Sequence, residues 1–487
     1  MVNKSLKRNY IYNLFQQILT LITPLITAPY IARVIGAEGI GAFSYTSSIV
    51  SYFTLFASLG IYAYASREIS YNQDNRKQRS VIFWNVKILS LITTCLCLVF
   101  YLIFIYFSDQ KYRIIYFIQI FSLISIIADT TFLFSGMEEF GITVMRNIIC
   151  RILNVLLIFI FVHQKEDLYT YIFLLSLTTF ICNISLWSFV PKFIDKPKFK
   201  EIHPFTSFNI IFSLFFPTIA ISIYTVLDKT MLGILTSGTL ENGYYEQALK
   251  LSKVVLVLVT SLGTVMVPRI GYHFERKEIS QIQEFMYRSY RFVWFLGIPL
   301  CLGLIGVSPN FIPWFYGDEF NKVIPLLSIL SFLILAIGIN NVTGVQYLIP
   351  TKRQNVFTIT VIIGAMINFI GNLILIPKFK SIGAAISSVV AETIIATIQI
   401  IIVRKELKPQ KILSSSFNYI CAGIIMYVIL LMENHFMRSS VINTLIMIAS
   451  GTIIYFMILF MRKDTFFIST ILSFKEKILK KVTKKRL

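Results

Sequence analysis

The 487 residues are 56% hydrophobic and only 14% charged, with 43 Phe and 25 Tyr, more apolar surface than a soluble domain of this length can bury under a polar skin. The formal net charge of +21 would suit a nucleic-acid binder, but the basic residues fall between apolar runs. They read as a topology signal, with no nucleic-acid partner.

Residues 1–10 lead straight into an apolar segment too long for a secretory h-region, so the first span is expected to act as its own insertion signal. Stretches of about 18–25 apolar residues, each able to cross a bilayer core of roughly 30 Å, then recur along the chain. They fall at 11–34, 40–65, 81–107, 113–135, 142–162, 168–190, 206–235, 244–268, 290–313, 322–349, 355–377, 382–403, 415–432 and 440–461. The pattern predicts an all-α polytopic membrane protein of about fourteen transmembrane helices.

With the N terminus inside, Lys and Arg collect on the cytoplasmic connections: Lys4 and Lys7, Arg76 to Arg79, Lys192 to Lys200, Arg269 to Lys277, Lys352 and Arg353, Arg404 to Lys411. Both termini are therefore expected in the cytoplasm. The tail "KEKILKKVTKKRL" is a polybasic segment expected to lie against anionic lipid headgroups.

The stretch "PYIARVIGAEGIG" (29–41) separates the first two spans. No strand precedes it and the nucleotide-loop spacing is absent. Gly36, Gly39 and Gly41 are expected to form a tight outer turn, with Arg33 pointing towards the mouth of a path that attracts anions.

An internal repeat follows. "RVIG", "GAFSY" and "SLG" in the first two spans parallel "TMLG", "GYYEQ" and "SLG" in the seventh and eighth, at an offset of about 200 residues. Two six-helix lobes with a substrate path between them are expected, at 1–200 and 201–411, leaving 412–487 as two further helices and the basic tail.

Charges inside apolar spans cost roughly 2.5–3.5 kcal/mol each near a helix centre, so they usually face a wet interior. Lys87, Asp129, Arg146, Arg151, Asp228, Lys229, Glu246, Lys250, Lys253 and Glu392 are so placed. Glu246, Lys250 and Lys253 share one helix face at i, i+4 and i+7, and either line a cavity or snorkel to the outer headgroups. Arg151 lies deeper than Arg146. Asp129 and Glu392 are the deepest acids; with Asp228 and Glu246 they are candidates to bind a coupling proton or sodium ion or to pair with a base. Pro24, Pro29 and Pro217 sit in corresponding helices of the repeat, where bending would serve alternating access.

The six cysteines, Cys95, Cys97, Cys150, Cys182, Cys301 and Cys421, all lie in apolar runs and are expected to pack as small apolar residues, with no disulfide framework and no metal site. An integral-membrane polysaccharide polymerase or glycosyltransferase is the rival class. It would need a sizeable external loop carrying catalytic acids, whereas every outer connection here is short.

The motifs "PYIARVIGAEGIG", "FASLGIYAYASREIS", "DTTFLFSGMEEFGITVMRN", "DKTMLG" with "GYYEQALKL", "TSLGTVMVPRI" and "IGAAISSVVAE" resemble the pattern of the polysaccharide-transport, Wzx-type flippases. These belong to the superfamily of the MATE antiporters and the lipid II flippases. The resemblance implies two MATE-like six-helix bundles, alternating access, no cofactor beyond a coupling ion, and a place in the bacterial cytoplasmic membrane. It implies as cargo an undecaprenyl-pyrophosphate-linked oligosaccharide moved from the inner to the outer leaflet for capsule, O antigen or exopolysaccharide. Membrane lipids and polysaccharide polymerase or chain-length machinery are the implied partners. Arg33, Arg146, Lys229, Lys250 and Lys253 fall in or beside the matched motifs and inherit a pyrophosphate-headgroup role; Arg151 rests on its depth. A cation-coupled multidrug antiporter is the alternative within the superfamily, but cationic drugs favour buried acids, and the excess here is basic.

Overall fold

The computed structural model describes residues 6–196 and 199–469. The basic tail lies outside them, as do the side chains of 6–18, 21, 199 and several positions from 216 to 224, Pro217 among them. The chain forms two compact units, Met1–Glu246 and Gln247–Leu487.

The first unit holds α1 (Leu6–Ser58), α2 (Ile61–Tyr71), α3 (Arg76–Phe107), α4 (Gln110–Ala128), α5 (Thr131–Gly136), α6 (Phe140–Phe161), α7 (Leu168–Ser185), α8 (Phe208–Leu235) and the opening turns of α9 (Leu240–Thr260). The second continues α9 and adds α10 (Gly263–Glu275), α11 (Ile279–Tyr316), α12 (Val323–Leu330), α13 (Phe332–Asn340), α14 (Gln354–Phe379), α15 (Ser381–Val403), α16 (Pro409–Ser414), α17 (Phe417–Phe436) and α18 (Val441–Met461). A π-helical stretch, Asn341–Leu348, follows α13.

Beside an apolar core, polar side chains are buried and large apolar ones exposed. Thr46, Thr94, Gln119, Asn368 and Gln399 are buried, while Leu96, Phe100, Ile160, Met366 and Ile453 are exposed. Helices satisfy their own backbone, so an apolar exterior can meet lipid while side-chain polar groups turn inward. Twelve helices among the described residues are long and apolar enough to cross a membrane. Two of the fourteen expected spans do not appear separately among them: those expected at 11–34 and 40–65 run together in the stretch Ile22–Tyr71, and the one expected at 206–235 includes positions outside the described residues.

That merger corrects the expected three-glycine turn. An unbroken helix the length of α1 would extend about 80 Å, far beyond the bilayer core. The kink falls on one residue, Gly36, at φ 75° and ψ 174°, a conformation that a side chain would strain. Helix α1 continues through Pro24, Pro29, Gly39 and Gly41. A helix break falls at each "SLG" of the expected repeat, between α1 and α2 in the first unit and between α9 and α10 in the second.

In the first unit α1 packs against α3, α4, α6 and α8, and α4 against α7. A core of Ile69, Phe83, Leu89, Leu133, Phe134 and Leu186 joins α2, α3 and α5 to the segment after α7. In the second, α11 is the central post against which α12, α13, α17 and α18 pack. Its Tyr290, Trp294 and Ile298 are buried with Tyr419, Met447 and Tyr455.

One expectation about cysteine is overturned. Cys150 of α6 and Cys182 of α7 form a disulfide, with Cα atoms 6.2 Å apart. The short connection at 162–167 makes these two helices neighbours, so residues 32 apart in the chain face each other. Cys301 is buried as expected, whereas Cys95 is exposed. Among the described residues no cluster could hold a metal ion.

Candidate functional site

Helices α1, α4, α6 and α7 of the first unit enclose a cavity of about 570 Å³. On α6, Asn147, Arg151 and Asn154 recur at i, i+4 and i+7, with Arg146 one residue before them, which turns an amide and guanidinium face inward. Helix α1 contributes Thr23, Ser47, Ser51 and Thr54, α4 contributes Gln119 and Ser122, and α7 contributes Ser176, Thr179 and Asn183. Cys150 and Cys182 complete the wall between the arginines and Asn183.

The charge balance of this lining decides its chemistry. It holds two guanidinium groups and, among the described residues, no carboxylate. Arg146 Nη1 donates to Asn183 Oδ1 at 3.1 Å, and Asn183 Nδ2 donates onward to the Ser125 carbonyl at 3.1 Å. Arg146 Nε is buried with no hydrogen-bond partner among the described residues. Two cations in a cavity whose described lining holds no carboxylate, with Asp129 acting on Arg146 from outside that lining, attract an anion, and guanidinium forks match phosphate oxygens. The surrounding hydroxyls and amides can hydrogen-bond a neutral polar ligand in the same space.

The other candidate residues take different places. Arg33 is exposed on α1 near the Gly36 kink, and Lys253 is exposed and Lys250 half-buried on α9. None of the three lines this cavity. Lys229 pairs with Glu246 at 2.5 Å, and Ser44 Oγ donates to the same carboxylate oxygen at 2.9 Å. Asp228 accepts a hydrogen bond from the Tyr245 hydroxyl at 2.5 Å. Asp129 ends α4, and its carboxylate accepts the Thr131 N–H at 2.8 Å. Lys87 is buried and donates to the Ile127 and Asp129 carbonyls, closing the break between α4 and α5, and it stands over the Trp187 ring at 5.4 Å. Glu392 on α15 is buried and accepts from Asn340 Nδ2 at 3.1 Å. Phe132 is packed against Phe83 in the core and does not reach the cavity.

The Lys229 and Glu246 side chains are 19% and 13% exposed. Glu246→Ala should therefore cost about 3–5 kcal/mol by stranding the ammonium. The double variant Lys229→Ala/Glu246→Ala should recover much of that loss. Thermal unfolding of the four purified proteins measures the coupling, and additive losses would show that the pair does not act as one unit.

Sequence reasoning missed Asn147, Asn154, Asn183, Gln119 and the hydroxyls of α1. The available signal was their helical spacing within otherwise apolar spans, such as Ser47, Ser51, Thr54 and Ser58 at steps of four, three and four.

The family model described as "Polysaccharide biosynthesis protein" matches residues 6–273. A protein of Escherichia coli (strain K12) named "Putative O-antigen transporter" is 24% identical over 404 residues, which cover 82% of this chain and 97% of that protein. A Haloferax volcanii protein named "Probable low-salt glycan biosynthesis flippase Agl15" is 22% identical over 198 residues, 40% of each chain. Among solved structures, "Lipid II flippase MurJ, inward closed conformation" superposes with a TM-score of 0.72 at 19% identity, covering 94% of this chain and 99% of that one. A MATE family multidrug resistance transporter in an inward-facing conformation gives 0.62 at 13% identity, covering 82% and 95%. The fold is that of these membrane transporters.

Proposed function

From the chain's membership of the polysaccharide biosynthesis protein family, we propose that it is a flippase for lipid-linked glycans. The finer reading is that it carries undecaprenyl-pyrophosphate-linked oligosaccharide repeat units from the inner to the outer leaflet of the bacterial cytoplasmic membrane, for O antigen, capsule or a related polymer. The observation that carries this reading is the cavity of the first unit, with Arg146 and Arg151 amid hydroxyls and amides and no acid among the described lining residues. A pyrophosphate supplies the missing negative charge, and sugars supply partners for the neutral polar groups. The same lining disfavours a cationic drug, which would meet two like charges. Coupling to a proton or sodium ion falls to the acids Asp129, Asp228, Glu246 or Glu392, and both termini lie in the cytoplasm.

The test is the leaflet on which lipid-linked oligosaccharides accumulate when the gene is deleted. Intact repeat units held on the inner leaflet are expected. Units that reach the outer leaflet but stay unpolymerised would overturn the flippase reading in favour of a polymerase.

A further inference from the structure

A second cavity, of about 390 Å³, adjoins the first along the same face of α1. Ser51 and Thr54 line both cavities, Ser58 extends the second, and Ser222 and Thr225 of α8 face it from across. Among the described residues its lining carries no charge at all. Ser47, Ser51, Thr54 and Ser58 form one stripe along α1, so a continuous row of hydroxyls leads from the arginine cavity into the neutral one.

The row has a defined hydrogen-bonding sense. Ser51 Oγ donates to the Ser47 carbonyl at 2.7 Å, Thr54 Oγ1 to the Ser51 carbonyl at 3.0 Å, and Ser58 Oγ to the Leu55 carbonyl at 2.9 Å. Across the cavity, Thr225 Oγ1 donates to the Ser222 carbonyl at 2.9 Å. A hydroxyl whose proton is spent on its own helix keeps lone pairs to offer. Gln119, 3% exposed on the wall of the first cavity, adds to this sense: its Nε2 donates to Ser47 Oγ at 2.9 Å, leaving Oε1 without a partner among the described residues. Donors are therefore concentrated on α6, where the guanidinium groups stand, and acceptors along α1.

We infer that the hydroxyl row of α1 and the neutral cavity beyond it form a binding track for an uncharged saccharide chain, whose hydroxyls donate to the row while its phosphate end sits at Arg146 and Arg151. The inference rests on the flippase reading and deepens it. The asymmetry of donors and acceptors orients the ligand, and the second cavity accommodates sugars that the first cannot hold.

Full-length protein in liposomes tests the track with two probes. One is a polyprenyl pyrophosphate bearing a single N-acetylglucosamine; the other is the same lipid with that sugar extended by three hexoses. Appearance of each probe on the far leaflet is read by its oxidation with externally added periodate. Ser58→Ala/Thr225→Val removes two acceptors that line the second cavity alone, with little change of volume, and is expected to slow the long probe about tenfold while leaving the short one within about twofold. Thr225→Ser, which keeps the hydroxyl, should transport both as the parent does. An equal fall on both probes, or no fall on either, would overturn the track while leaving the flippase reading intact. A parent protein that moved neither probe would overturn the flippase reading, and the track with it.

Discussion

Arg146→Ala/Arg151→Ala should lose glycan export by at least two orders of magnitude while remaining in the membrane at parental abundance. Each guanidinium is placed to make charge-assisted hydrogen bonds worth about 1.5–3 kcal/mol with a phosphate oxygen, and no described cation in the cavity lining stands in for them. The single variants separate their contributions. Arg151 has no hydrogen-bonding or ionic partner among the described residues, so Arg151→Lys should retain more activity than Arg151→Ala if charge alone is needed. Arg146 is held by Asn183, which is itself tied to α4, so its planar fork is oriented and Arg146→Lys should fare little better than alanine. Export of labelled lipid-linked units, normalised to protein in the membrane, is the measurement. Parental export from the double variant would remove this cavity from the transport path.

The second large effect is on stability. Gly41→Ala should cost about 3 kcal/mol or more and lower the thermal midpoint of the purified protein, because the added Cβ would lie 1.7 Å from the Thr239 carbonyl oxygen and 2.9 Å from the Gly243 nitrogen. Both neighbours are backbone and cannot rotate away. A Cβ added at Gly243 would likewise lie 2.0 Å from the Ala37 carbonyl oxygen, so α1 and the start of α9 pack main chain to main chain. Ser44 and Glu246 add a side-chain hydrogen bond at this seam, and Ser48 and Thr230 join α1 to α8 nearby at 2.8 Å. Gly271→Ala is the control. It lies within α10, where a Cβ would have only Pro350 at 3.9 Å, and alanine there should be neutral or stabilising by about 0.5–1 kcal/mol. Equal midpoints for the two variants would mean that the seam yields without cost.

Membrane class and helical character were legible in the chain, since each follows from local quantities. A run of apolar residues longer than the bilayer core has one stable solution, and "SLG" recurs where a helix breaks in both halves. Intramembrane charge marked Arg146 and Arg151 for the same reason: the cost of burying them demands a polar setting. What each charge meets depended on contacts between helices distant in sequence. Lys229 and Arg151 look alike as cations in apolar spans, yet one closes an ion pair with Glu246 and the other lines a cavity without a counter-ion among the described residues. Gly39 and Gly41 looked like turn residues beside Gly36, although Gly41 serves the close approach of another main chain.

By itself, then, the amino-acid sequence determined that this chain spans a membrane as packed helices. Hydrophobic length and the cost of buried charge act residue by residue. The tertiary structure alone decided which cations share a cavity, that Cys150 meets Cys182, and that the hydroxyls of α1 border two cavities at once. Those outcomes depend on the rotation and register of one helix against its neighbours, which side-chain packing sets and no single span encodes.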